Sequence, residues 1–303
     1  RPLNMVSLFV GGGGLHLGFL DAGFSALWVN DFEPSSMETF RVNAPDTNFV
    51  LGDVRHLSAS EVKRLTGDTQ VDVLIGGPPC QGFSTLGDQL AGDPRNAMFE
   101  AYLRIVKWIN PRCFLMENTS YLNSQFGGSY ADEIETSMRK LGFRVKTALL
   151  NAADYGTPQV RKRLFFFGTK EKAEFSWPAV THGPDADLPY STVGDCIMDL
   201  PEHSDSEPPN HVVLRHGEIV RRRYALIPEG GRLPPPSTLP EELRRRNFGN
   251  TYKRLHRERP SLTLVPGNNA FPVHPVLDRS LTPREAARLQ DFPDSYAFAG
   301  SRA

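Results

Sequence analysis

The chain has 303 residues, 39% hydrophobic and 23% charged, with 34 Lys or Arg against 35 Asp or Glu for a net charge of −1. This is the composition of a folded, water-soluble protein and not of a disordered or fibrous one, and no apolar run reaches the roughly 18 residues of a membrane span. The near-zero charge hides an asymmetry that keeps a polyanionic partner open: residues 215–259 hold 12 basic and 5 acidic residues, whereas residues 171–210 hold 1 basic and 9 acidic.

In chain order, short apolar runs at residues 5–10, 26–30, 71–75 and 113–116 read as buried strands, bounded by Gly, Asp or Pro. Stretches with helical spacing lie between them at residues 15–22, 35–42, 60–65, 99–109 and 130–141, with Ser35 and Ser58 or Ser60 as expected caps. Strand and helix in alternation imply a parallel sheet covered on both faces. Residues 143–150 and 164–168 then read as a final strand pair. Beyond them Pro and Gly become dense and periodicity fades, until a helix returns at residues 283–290 with Thr282 as cap, Pro283 in its first turn and Glu285 three residues after the cap. There are no internal repeats. The opening Arg1-Pro2-Leu3-Asn4 leads straight into a strand, so no signal peptide is expected, and Arg1 in place of Met leads us to expect a longer gene. Cys80, Cys113 and Cys196 are far apart without Cys-x-x-Cys spacing, so neither a disulfide framework nor a metal site is expected, and a reducing compartment is.

Gly11-Gly12-Gly13-Gly14 joins the first strand to the first helix. Four glycines let the backbone approach a ligand and adopt φ > 0 without steric cost. The register fails the dinucleotide fingerprint, because the last glycine position falls on His16 or Leu17, and without a Gly-Lys dipeptide there is no Walker loop. What remains is a turn suited to a nucleoside lacking a pyrophosphate. Asp31 and Asp53 close the next two strands, where carboxylates either accept from ribose hydroxyls and an adenine amino group or simply form turns; the residues leave both open.

Gly76-Gly77-Pro78-Pro79-Cys80-Gln81-Gly82-Phe83-Ser84 follows the fourth strand. A cysteine at the carboxyl mouth of a parallel sheet, flanked by Pro and Gly, is placed as a nucleophile rather than as core. With it come Glu117-Asn118, Gln159-Val160-Arg161-Lys162-Arg163 and Leu281-Thr282-Pro283-Arg284-Glu285-Ala286-Ala287-Arg288-Leu289-Gln290, in that order after the Phe9–Leu15 turn. From Phe9 to Pro293 the sequence resembles the DNA (cytosine-5) methyltransferases.

The resemblance implies an α/β fold: a Rossmann-like S-adenosylmethionine-dependent methyltransferase sheet with helices on both faces, plus a small loop-rich target-recognition domain. It implies a catalytic and cofactor-binding domain over 1–178, target recognition over 179–278 and a return segment over 279–303 packing on the catalytic domain. Cys80 would attack carbon 6 of a flipped-out cytosine in duplex DNA, Glu117 would act as acid at ring nitrogen 3, Arg163 would contact O2 and Arg161 would lie toward the phosphates. S-adenosyl-L-methionine, leaving as S-adenosyl-L-homocysteine, would be held by Phe9, Gly11, Gly13, Asp31, Phe32, Asp53 and Val54, with Pro79 and Met98 lining the same pocket. The segment 84–98 would be the mobile loop closing over the base. No metal and no membrane are implied.

Gln81 and Ser84 would meet DNA beside the nucleophile. The basic stretch falls where the family keeps its reader, and there Arg221, Arg222, Arg223, Arg244, Arg245, Arg246, Tyr252, Lys253 and Arg254 are the expected contacts, arginine being suited to clamp guanine or phosphate. Val10 stands where the family has a small residue and Thr119 where it has valine. The family's closing Gly-Asn block is not found after Pro293, and Gly267-Asn268 precedes the Leu281–Gln290 block, which leaves three expectations open: a truncated chain, a permuted gene with the block ahead of Arg1, or a second subunit or chain segment that supplies it. The alternatives are an RNA (tRNA) cytosine-5 methyltransferase and a catalytically inactive DNA-binding regulatory relative. A bacterial member would be cytoplasmic and nucleoid-associated, with a role in restriction–modification; a eukaryotic one would be nuclear.

Overall fold

The computed structural model describes residues 2–79, 97–123, 129–172, 174–202, 208–245, 250–265 and 271–300. The chain divides into two compact units, Arg1–Leu150 with Lys162–Pro178, and Asn151–Arg161 with Ala179–Ala303. Residues 151–161, assigned from sequence to the catalytic domain, therefore group with the second unit, as do residues 279–303.

The first unit alternates β1 (Asn4–Leu8), α1 (Gly14–Asp21), β2 (Ser25–Asp31), α2 (Pro34–Asn43), β3 (Phe49–Leu51), α3 (Ala59–Thr66), β4 (Val73–Gly76), α4 (Ala97–Ile109), β5 (Cys113–Thr119), α5 (Ser129–Lys140), β6 (Arg144–Asn151) and β7 (Lys162–Thr169). The strands form one sheet in the order β3-β2-β1-β4-β5-β7-β6. This is an α/β fold with helices on both faces, as the resemblance implies. The all-parallel expectation is corrected at one strand: β7 runs antiparallel to β5. The link from β6 to β7 holds only a short 3₁₀ turn at Ala152–Tyr155, and a parallel return needs a crossover of a dozen or more residues.

Strand periodicity sorts the core. Val6, Leu8, Leu74, Phe114, Met116, Leu164 and Phe166 share one buried cluster with Val62 of α3, Tyr102 and Ile105 of α4, and Ile134 and Met138 of α5. Met5, Val73 and Ile75 pack separately with Leu15, Phe19 and Leu20 of α1. Fully burying each large apolar side chain contributes about 1.5–3 kcal/mol. At α3, Ser58 and Glu61 make a reciprocal capping box. Ser35 does not cap α2: Pro34 occupies the first helical turn, so the helix starts earlier and Glu33 takes the cap position without a side-chain bond. β1 stops at Leu8 rather than residue 10, because Phe9 turns to φ 55.

The second unit is loop-rich, with α6 (Val193–Ile197), α7 (Glu218–Ala225) and α8 (Pro283–Arg288). The Thr282–Glu285 capping box starts α8 with Pro283 in its first turn. Two apolar clusters hold the unit, one around Val193, Ile197, Leu255, Leu281 and Leu289 and one around Tyr224, Ile227, Leu243, Tyr252 and Val273. Between apolar elements lie buried charges: Glu285 accepts from Arg279 at 2.7 and 2.8 Å, and Arg284, 0% exposed, donates to the carbonyls of Pro209 and Pro293 at 2.7 and 2.9 Å. Among the described residues no helix is long and apolar enough to cross a membrane, and no group of His, Cys, Asp or Glu side chains gathers as a metal site.

Candidate active site

The order of the first unit's sheet reverses between β1 and β4, paired in parallel with Leu8 opposite Gly76. Open α/β sheets bind ligands outside the carboxyl ends of their strands at such a switch point. The turn after β1 and the Gly77-Pro78-Pro79 segment after β4 both leave the sheet there.

On the β1 side, Phe9 adopts a left-handed φ that costs a non-glycine residue strain of order 1–3 kcal/mol. Gly11 follows at φ +51, and a Cβ built on it would meet nothing within 4 Å, so the turn is open on that side. Gly13 at φ 89 precedes α1. The Asp31 carboxylate, 7% exposed, pins the turn to β2 by accepting from Gly11 N–H at 2.8 Å and Glu33 N–H at 2.9 Å. Asn30 does the same for β3, its Nδ2 donating to the carbonyls of Val50 and Gly52 at 2.8 and 2.9 Å. Below, His16 Nδ1 lies 2.9 Å from Ser7 Oγ, and burial pushes the imidazole down to about 4, which keeps it neutral near pH 7. Phe32 presents an apolar ring 60% exposed, while Val54 is buried in the core. Asp53 caps the 3₁₀ turn Val54–His56 through Arg55 N–H. Pro79 is half-buried, and Met98 in the first turn of α4 packs on the main cluster. A carboxylate at each strand end, an exposed aromatic ring and an open glycine turn fit a nucleoside.

On the β4 side, Glu117 lies near the end of β5 and Arg163 near the start of β7. The antiparallel register sets Glu117 opposite Phe165 and Thr119 opposite Arg163. Glu117 and Arg163 are thus diagonal neighbours on one face, within reach of a long side chain, and Arg163 Nε lies 2.7 Å from Glu117 Oε1. The other carboxylate oxygen, Oε2, sits 2.9 Å from where a Cβ on Gly77 would stand. A side chain at Gly77, just after β4, would push that carboxylate aside. Asn118, 4% exposed, donates through Nδ2 to the Pro78 carbonyl at 3.2 Å, tying the Pro-Pro segment to β5. Sequence reasoning placed Asn118 and Gly77 within motifs but assigned neither a task; their signal was adjacency to Glu117 and Cys80. Gly77→Ala is expected to leave the melting temperature near wild type, because the displaced atom is a side-chain end. It should lower kcat about tenfold by moving that carboxylate, read in a methyl-transfer assay; an unchanged kcat would refute the need for this close approach.

Cys80, Gln81, Ser84, Arg246, most of the segment 84–98 and the Gly267-Asn268 pair lie outside the described residues. Arg161 belongs to the second unit, where its backbone N–H donates to Asn151 Oδ1 at 3.0 Å. The residues offered as DNA contacts divide by burial. Arg221, Arg222, Arg244 and Arg245 are exposed and Lys253 is half-buried; Arg222 pairs with Glu242 at 3.1 Å, and Arg245 stands 5.9 Å over the Tyr252 ring. Arg223, Tyr252 and Arg254 are 9%, 5% and 4% exposed. Arg223 donates to the Leu243 carbonyl at 3.0 Å. Arg254 donates to the carbonyls of Ile227, Tyr224, His274 and Leu277 at 2.7–2.9 Å and to Asp278 at 2.6 Å. The guanidinium groups of Arg223 and Arg254 are turned inward and Tyr252 is buried, which corrects the expectation that these three side chains face DNA.

A family model for C-5 cytosine-specific DNA methylases matches residues 3–303. Type II methyltransferase M1.HphI of Haemophilus parahaemolyticus is 37% identical over 307 residues, covering 99% of this chain and 80% of that protein. Type II methyltransferase M.NgoFVII of Neisseria gonorrhoeae is 33% identical, covering 98% of this chain and 79% of its own length. Among solved structures, a prophage-encoded protein of E. coli described as a DNA modification methyltransferase superposes with a TM-score of 0.77 at 27% identity, covering 98% of this chain and 90% of that one. The chain belongs to the C-5 cytosine-specific DNA methylase family. Membership implies a methyl donor and a DNA substrate.

Proposed function

We propose that the protein transfers a methyl group from S-adenosyl-L-methionine to carbon 5 of a cytosine flipped out of duplex DNA. The observation that carries this reading is the Glu117–Arg163 pair, at 2.7 Å, beside the Gly77-Pro78-Pro79 segment that leads into Cys80. The Cys80 thiolate adds to carbon 6, and the density pushed into the ring is met at nitrogen 3 by a proton from Glu117, leaving carbon 5 nucleophilic. Arg163 holds Glu117 through Oε1 and offers its remaining donors to the cytosine O2. When bound, S-adenosylmethionine supplies an electrophilic methyl group on a sulfonium and leaves as S-adenosylhomocysteine. Loss of the carbon 5 proton to a base then expels the thiolate, nitrogen 3 returns its proton to Glu117, and Cys80 is freed. Phe9, Phe32, the glycine turn, Asp31 and Asp53 are the groups suited to the cofactor, with Pro79 and Met98 beside them, and Arg161 is suited to the phosphates. The bacterial Type II relatives support a role in restriction–modification and a cytoplasmic protein.

A duplex carrying 5-fluorocytosine tests this, since fluorine at carbon 5 blocks the final elimination. Wild type with S-adenosylmethionine is expected to form a covalent adduct and Cys80→Ser none. A persistent adduct in the variant, methyl transfer to tRNA but not DNA, or no transfer at all would each overturn the reading.

The second unit is the target reader in this proposal, through its exposed arginines. Substituting Arg244 and Arg245 by Ala is expected to flatten the dependence of log affinity on log salt by about 1 for each phosphate that is no longer neutralised. Filter binding at several salt concentrations reads this; an unchanged slope would remove both residues from the interface.

A further inference from the structure

Asp53 in the first unit carries a neighbour that the proposed reaction does not use. The Arg55 guanidinium clamps the carboxylate from one side, with Nε 3.1 Å from Oδ1 and 2.9 Å from Oδ2, and Nη2 2.5 Å from Oδ2. Arg55 N–H also donates to Oδ1 at 2.8 Å. The clamp is itself anchored, because Arg104 of α4 donates through Nη2 to the Arg55 carbonyl at 2.9 Å. Asp53 is thereby held by one guanidinium fork and one backbone donor, its side chain 20% exposed, and the Arg55 guanidinium keeps its carboxyl below the usual carboxylate range.

We propose that Arg55 is a positioning residue that aims the Asp53 carboxylate at the exocyclic amino group of the bound nucleoside and so sets a preference for adenine over hypoxanthine. This rests on the reading of Asp53 as the adenine contact. A carboxylate accepts only, and adenine offers it a donor at position 6 where hypoxanthine offers a carbonyl oxygen. Hypoxanthine does carry a donor at ring nitrogen 1. A carboxylate free to swing would find it, whereas one held by a bidentate fork would not.

Equilibrium binding of S-adenosyl-L-homocysteine and S-inosyl-L-homocysteine to wild type, Arg55→Ala, Arg55→Lys and Asp53→Ala tests this without turnover. Wild type is expected to favour the adenosyl ligand by about tenfold or more, Arg55→Ala to bring the two affinities to within about threefold, and Arg55→Lys to recover part of the ratio. A purely structural role for Arg55 would weaken both ligands alike and leave the ratio intact. That outcome in Arg55→Ala, with the ratio lost in Asp53→Ala, overturns the positioning role alone. A ratio unchanged in Asp53→Ala overturns the reading of Asp53, and the proposal with it.

Discussion

Glu117→Gln is expected to lower kcat for methyl transfer by about 10³-fold, while the melting temperature and the affinity for S-adenosylhomocysteine stay near wild type. The amide preserves the shape near the end of β5 and its oxygen can still accept from Arg163, whose Nε lies 2.7 Å from Glu117 Oε1 in the wild type. What it lacks is a transferable proton. A positioned general acid contributes typically 10²–10⁴-fold, so about 10³-fold, roughly 4 kcal/mol of barrier, is the loss to look for. Single-turnover transfer to a cytosine-containing duplex separates this from product release. A rate within about threefold of wild type would take Glu117 out of the proton path and leave it only as the partner that orients Arg163. Arg163→Ala should differ in kind: it removes the contact proposed for the cytosine O2 as well as the support of Glu117, so the KM for DNA is expected to rise along with the fall in kcat.

Arg254→Met is expected to destabilise the second unit by about 3–5 kcal/mol while leaving the first unit's own unfolding unchanged. All five guanidinium N–H groups are spent, four on backbone carbonyls and one on Asp278. Methionine fills much of the volume but leaves the carbonyls of Tyr224, Ile227 and His274, all in buried residues, without these donors, and removing one partner of a buried set costs more than the bond itself was worth. Trp28, Trp108 and Trp177 all belong to the first unit, so tryptophan fluorescence should report a near-normal urea transition there. Amide hydrogen exchange around Leu255 and Val273, whose backbones pair at 3.0 Å, should lose protection. Unaltered exchange would mean that these carbonyls find other donors. The salt dependence of DNA binding by any folded Arg254→Met protein should match wild type, in contrast to Arg244 and Arg245.

That contrast marks where sequence reading stops. Eleven of the twelve basic residues between 215 and 259 are arginine, and nothing in their spacing separates Arg222, whose exposed guanidinium meets Glu242, from Arg223, whose guanidinium is buried against the Leu243 carbonyl. Adjacent residues of a helix with 3.6 residues per turn differ by about 100° around the axis, so one turns outward and the next inward. Which is which depends on what packs on α7. Tyr252 and Arg254 repeat the lesson in an irregular segment, where no period exists to read.

In the first unit the local chemistry was legible because each signal is short-range. Apolar runs of strand length, the Ser58–Glu61 cap and the glycine turn each arise from residues within one turn or strand of one another, and the Thr282–Glu285 cap of the second unit is as local. The ordered blocks around Phe9, Cys80, Glu117, Arg163 and Leu281 were enough to define the family. Pairings between distant residues were not legible. Glu117 and Arg163 meet from far apart in the chain only because β7 enters the sheet antiparallel beside β5, and Gly77 matters only because a Cβ built there, just after β4, would stand 2.9 Å from that carboxylate. In the first unit the chain by itself determined which elements form and which chemistry they carry, since both follow from propensity and side-chain type, whereas α6 and α7 of the second unit left no periodicity to read. The tertiary structure alone decided which arginines face solvent, which oxygen of Glu117 turns to Arg163 and which to Gly77, and which residues hold them in place, since those depend on register and packing between segments that no local pattern encodes.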